Sequence, residues 1–101
     1  MYKFSMVVLL ACFSSSLAFS AEDVKKEIIE RCKTQMGSYG AAMVKACVDQ
    51  DIEALTALNN YPEKHKKIVS RCYSQMKDYG YAMVKACADQ DIEAENALEQ
   101  Y

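Results

Sequence analysis

The sequence predicts an all-α protein: two tandem, disulfide-stapled helical hairpins, four helices in all, behind a cleaved signal peptide. Three observations predict it. Residues 22–61 align with residues 62–101 from end to end without a gap. Apolar residues within each half recur at three- and four-residue spacing, the period of a helix with one buried face. Four of the five cysteines form two pairs at the same spacing of fifteen, Cys32 with Cys47 and Cys72 with Cys87.

The order of elements follows along the chain. Met1-Tyr2-Lys3 supplies a basic start, Phe4 to Phe13 an apolar run, and Ser14 to Ala21 a stretch of mostly small residues. These are the three regions of a secretory signal, too short to anchor as a membrane span. Small side chains at the cleavage positions place the mature start at Phe19 or Ala21, so residues 1–20 are assigned to the signal peptide. Leu9-Leu10-Ala11-Cys12 also resembles a bacterial lipobox, which would acylate Cys12 and tether the chain to a membrane. Against that stand a short leader, Leu10 at a position it suits poorly, and the ordinary cleavage region that follows.

The first hairpin is assigned to 21–61 and the second to 62–101. Their central blocks, 31–54 and 71–94, differ only at the six positions 33/73, 34/74, 37/77, 38/78, 41/81 and 48/88, so 18 of 24 residues are identical. In the first hairpin Val24, Ile28, Cys32 and Met36 recur every four residues, with Ile29 beside them, and make one apolar stripe. Gly40 after Tyr39, and Gly80 after Tyr79, suit the left-handed residue that ends a helix. The next helix runs from about Ala41 to Leu58, with Met43, Val44, Cys47, Val48, Ile52, Leu55 and Leu58 on a broad apolar arc. Asn59-Asn60-Tyr61-Pro62 separates the repeats, and Pro62 opens the next helix at its first turn.

Folding the hairpin about the Tyr39–Gly40 peptide sets Cys32 opposite Cys47 and Met36 opposite Met43. The same construction sets Cys72 opposite Cys87 and Met76 opposite Met83. Intra-repeat disulfides therefore rank above the two cross-repeat pairings, and an even cysteine count in a small exported chain reads as disulfides. Each closes a loop of about fifteen residues, worth roughly 3 kcal/mol in chain entropy. In outline this resembles the coiled-coil-helix-coiled-coil-helix proteins of the mitochondrial intermembrane space, also cysteine-stapled hairpins. The resemblance is one of architecture, because those use two cysteine pairs per hairpin at shorter spacing.

Composition narrows function. Twelve basic against fourteen acidic residues give a net charge of −2, which offers no electrostatic footprint for nucleic acid. A redox enzyme would need an activated thiol, most often in Cys-x-x-Cys, and the sequence has none. His65, the single histidine, aligns with Lys25, so the duplicated block shares no catalytic base. Asp51 and Asp91 project into the apolar arc, whereas Asp49, Glu53, Asp89 and Glu93 project to the solvated face. A carboxylate facing a core needs a partner, and Lys25 for Asp51, His65 for Asp91, or a tyrosine hydroxyl are the candidates. Tyr39, Tyr61, Tyr79, Tyr81 and Tyr101 lie at hairpin tips and repeat ends, where they can pack across the repeats or bind a partner.

These observations lead to an expectation: a small exported, non-enzymatic structural or protein-interaction module of the bacterial cell envelope, periplasmic or secreted. It would bind an unknown protein partner through Tyr39 and Tyr79, with no cofactor, no nucleic acid and no membrane span. The alternative is a periplasmic Cu(I)-binding protein. Its soft ligands would be Cys32, Met36, Met43 and Cys47 in one repeat and Cys72, Met76, Met83 and Cys87 in the other.

Overall fold

A computed structural model describes residues 21–101. The signal peptide, its cleavage site and Cys12 lie outside these residues. Four helices follow in order: α1 (Ala21–Met36), α2 (Ala41–Asn59), α3 (Lys66–Met76) and α4 (Tyr81–Leu98). Short 3-10 turns at Gly37–Tyr39 and Lys77–Tyr79 close the two hairpin tips, and a third, Glu63–His65, leads into α3. There is no strand among the described residues.

The hairpin turns differ in one respect from the expected helix ending. Gly40 and Gly80 have φ of +104° and +107° with ψ of 164° and 163°, an extended backbone of positive φ rather than the left-handed helical one. They act as the residues that start α2 and α4, after a 3-10 turn has already ended α1 and α3. Only glycine occupies that region without strain. Pro62 likewise stands one 3-10 turn ahead of α3, so that helix begins at Lys66 rather than at the proline.

Both disulfides are intra-repeat, Cys32–Cys47 and Cys72–Cys87, with Cα atoms 5.8 and 5.7 Å apart. The apolar stripe of α1 turns inward with Ile28 and Cys32 fully buried, and α3 does the same with Ile68 and Cys72. The arc on α2 is shifted from its expected centre. Ala54 and Leu58 are buried with Asp51 between them and the disulfide, whereas Met43 is partly exposed, as is Met83.

The main hydrophobic cluster lies at the boundary between the hairpins. Leu58 of α2 packs with Ile68, Cys72, Val84 and Ala88 of the second repeat, and Tyr61, Val69, Met76, Tyr81, Cys87 and Ile92 close around them. Contacts from Asp51 reach Tyr81 and Ala82, and Tyr61 reaches Asp89. Chain numbers rise together on both sides, so α2 and α4 run parallel. The partners are about thirty residues apart while the repeat is forty. The second hairpin is thus slid along the first by about ten residues, or roughly 15 Å at 1.5 Å per residue.

Candidate functional site

The repeat boundary carries the chain's one buried charged group among the described residues, Asp51. It comes from the middle of α2 and pairs with the Arg31 guanidinium of α1, whose side chain is also mostly covered. Its two carboxylate oxygens then accept from the backbone of the next repeat: Tyr81 N–H donates to Oδ2 and Ala82 N–H to Oδ1, both at 3.2 Å. These are amides of the first turn of α4, which have no acceptor inside their own helix. Gly80, the residue preceding that turn, has no side chain with which to cap them. Asp51 therefore caps α4 from another helix, with its negative charge at the positive end of the helix dipole.

Gly80 is part of this joint. A Cβ built on it would lie 2.9 and 3.1 Å from the Asp51 oxygens and 3.0 Å from Arg31 Nη2. The same atom on Gly40 would meet nothing within 4 Å among the described residues. Glycine is thus required twice at position 80, by its φ and by the close approach of the carboxylate, and once at position 40.

The second acid differs from its expected place. Asp91 pairs with Arg71, as Asp51 pairs with Arg31, but its side chain is 42% exposed against 6% for Asp51. No further repeat covers it among the described residues. The partners are also corrected: each acid takes the arginine one residue before the first cysteine of its own repeat, and neither Lys25 nor His65 takes that place.

A third contact crosses the boundary. The Tyr61 hydroxyl donates to Asp89, which also accepts from Lys85 Nζ at 2.7 Å. Burial and the bond to Asp89 push the Tyr61 hydroxyl up to about 12. Burial tends to raise Asp89, but the hydrogen bonds from Lys85 and Tyr61 outweigh it and hold the carboxyl below its ordinary value. Sequence reasoning placed Asp89 on the solvated face and missed this bond, because the projection of one helix carries no information on the next repeat.

The tyrosines divide into two sets. Tyr61 and Tyr81 pack across the boundary, with Tyr81 stacked on Tyr73 at 6.2 Å between ring centroids. Tyr39 and Tyr79 stand out from the hairpin tips, 71% and 63% exposed, and Tyr101 is exposed as well. The proposed sulfur ligands are divided in the same way. Cys32, Cys47, Cys72 and Cys87 are held in disulfides, Met36 and Met76 are half-buried, and Met43 and Met83 are partly exposed. Cys72, Cys87 and Asp91 offer ligand atoms within 4.8 Å of one another, yet both sulfurs there are oxidised and supply no thiolate.

Comparison with protein-family models, with curated proteins and with solved structures found no match. Two disulfides are what an oxidising, extracytoplasmic compartment maintains. No helix among the described residues is long and apolar enough to cross a membrane.

Two predictions follow the geometry of the boundary. Gly80→Ala is expected to destabilise the chain by about 1–3 kcal/mol more than Gly40→Ala in urea unfolding at low protein concentration, because both changes strain φ but only the first displaces Asp51 from two amides. Equal losses would show that Asp51 does not hold the joint. For pH, a depressed Asp89 contributes stability above the ordinary carboxylate range that is lost as pH falls through its folded value. A raised Tyr61 contributes below pH 10 and loses that contribution as pH rises through about 12. Tyr61→Phe should therefore shrink the acid loss of stability and remove one late-ionising tyrosine from an ultraviolet titration; an unchanged acid loss would show that the Tyr61–Asp89 bond does not stabilise the joint.

Proposed function

We propose that the chain is an exported, non-enzymatic interaction module of the bacterial cell envelope, periplasmic or secreted, that binds a protein partner through its hairpin tips. The observation that carries this reading is the exposure of Tyr39 and Tyr79. Both stand in the block that the two repeats share, at equivalent positions beside a glycine turn. Most of that block is accounted for by packing: the disulfides, the acid–arginine pairs and the helix starts. The tip tyrosines are not, because their rings lie mostly in solvent. Large amphipathic rings of this kind bring contact area with few rotamers to freeze, which suits a binding surface.

The partly exposed Met43 and Met83 sit in the first turn of the following helices and add an adaptable apolar edge to each tip. Two tips on one chain, offset by the slide between the hairpins, would engage a partner at two points, so that each contact raises the effective concentration of the other. The oxidised cysteines favour this reading over Cu(I) binding, since a disulfide leaves only the thioethers as soft ligands.

Cross-linking and affinity capture from the envelope of the source cell test the proposal. The intact chain should retain a partner. Tyr39→Ala with Tyr79→Ala should lose it while the unfolding midpoint stays within about 0.5 kcal/mol of the parent, as expected for exposed positions. Retention unaffected by the double change, or Cu(I) bound tightly by the oxidised chain and lost on Met36→Leu with Met76→Leu, would overturn it.

A further inference from the structure

The polar contacts that join the first hairpin to the second, and the apolar residues beneath them, have counterparts that stand open among the described residues. The joint has two sides. One is a socket on the first hairpin: the Arg31–Asp51 pair, buried Ala54 and Leu58, and the Tyr61 hydroxyl. The other is a plug on the second: Gly80, the Tyr81 and Ala82 amides, buried Val84 and Ala88, and Asp89.

Moving forty residues along gives the socket of the second hairpin. Arg71 and Asp91 are paired in the same way but lie half in solvent. Ala94 is exposed, and Leu98 is 65% exposed where Leu58 is 7%. Tyr101 is 99% exposed where Tyr61 donates to Asp89. Ile68, Arg71, Asp91, Ala94, Glu95 and Leu98 line one open hollow. Moving forty residues back gives the plug of the first hairpin. Gly40, Ala41 and Ala42 are exposed, Val44 and Val48 are only half-buried, and Asp49 pairs with Lys45 as Asp89 does with Lys85. No side chain caps the start of α2 among the described residues.

We propose that the socket of the second hairpin takes the plug of the first hairpin of a second copy of this chain, head to tail, through the contacts that already join the two repeats. Asp91 then caps α2 of the next copy at Ala41 and Ala42. Leu98 and Ala94 cover Val44 and Val48, and Tyr101 donates to Asp49.

The positions at which the two joints differ also agree with this. Leu55, Tyr73 and Tyr81 line one apolar groove at the internal boundary. Their counterparts at the open ends are Glu95, Lys33 and Ala41. An apolar contact inside the chain thus becomes an acid facing a base between chains, and the loss of the Tyr81 ring leaves room for the longer side chains. Gly40 matters in the same terms. Nothing among the described residues approaches the space a Cβ would fill, and the docked Asp91 carboxylate would occupy it as Asp51 does at Gly80.

The two surfaces are different, so the contact is heterologous. Each docking leaves a fresh plug and a fresh socket, so the assembly continues past a dimer, into a ring or an open filament. The proposal extends the interaction-module reading to a second surface and rests on the repeat joint alone. Its test uses purified chain and no envelope, so either can fail while the other stands.

Sedimentation velocity of the oxidised mature chain over micromolar to millimolar concentration is the test. The weight-average mass should rise with concentration past that of a dimer, and Asp91→Asn should weaken the association about tenfold or more, as loss of a charged acceptor from two amides requires. Two blocking variants then read the polarity. Ala42→Glu obstructs the plug and Ala94→Arg the socket, both at residues exposed in the single chain, so each variant should fold and remain a monomer. Mixed, they retain one good socket and one good plug, and should form a one-to-one dimer and nothing larger. A monomer at every concentration would overturn the proposal. So would an association that either blocking variant keeps by itself, or one that mixing does not restore.

Discussion

The carboxylate of Asp51 set against the start of α4 is the constraint on which the arrangement of the two hairpins depends. Its oxygens can meet both amides only if α4 begins opposite the middle of α2, so one residue sets the slide between the repeats. From that register the rest follows. Gly80 must lack a side chain, Val84 and Ala88 descend onto Leu58, and Tyr61 arrives beside Asp89. A buried carboxylate is a costly way to make a joint unless its lone pairs are filled. Here Arg31 neutralises it from within the hairpin and the helix start fills it from outside.

Each hairpin needs this joint because neither can support itself on apolar burial. The first contributes few fully buried side chains of its own, Ile28 and Cys32 foremost among them, and the largest cluster belongs to both repeats. A disulfide constrains each hairpin internally, worth roughly 3 kcal/mol for a fifteen-residue loop. The disulfides therefore make each unit, and Asp51 with the Leu58 cluster makes the pair. That division is characteristic of repeat proteins, in which stability is shared between units and their neighbouring interfaces.

Local features of the structure were legible in the sequence. The stripe through Val24, Ile28, Cys32 and Met36 marks α1 by period alone, and reflecting the chain about Tyr39–Gly40 pairs Cys32 with Cys47, because a tight hairpin leaves that geometry little freedom. The position of Asp51 inside the apolar arc was legible too. Its partners were not, since two of them are backbone amides, which no residue type announces, and Arg31 projects no differently from any other helical cation. Asp91 shows the limit most clearly: it lies in the same eight-residue surroundings, CxDQDIEA, as Asp51, yet stays half in solvent. Burial at these positions is a property of the next repeat, and periodicity within one repeat cannot report it.

Amide hydrogen exchange resolved by residue puts the central claim to its most direct test. In dilute oxidised chain the Tyr81 and Ala82 amides, bonded to Asp51, should exchange much more slowly than Ala41 and Ala42, their equivalents at a helix start that no side chain caps among the described residues. As concentration rises, Ala41 and Ala42 should gain protection while Tyr81 and Ala82 stay as they were. Equal protection of the two pairs in dilute solution would contradict the account, because it would mean that Asp51 does not distinguish the joined helix start from the open one.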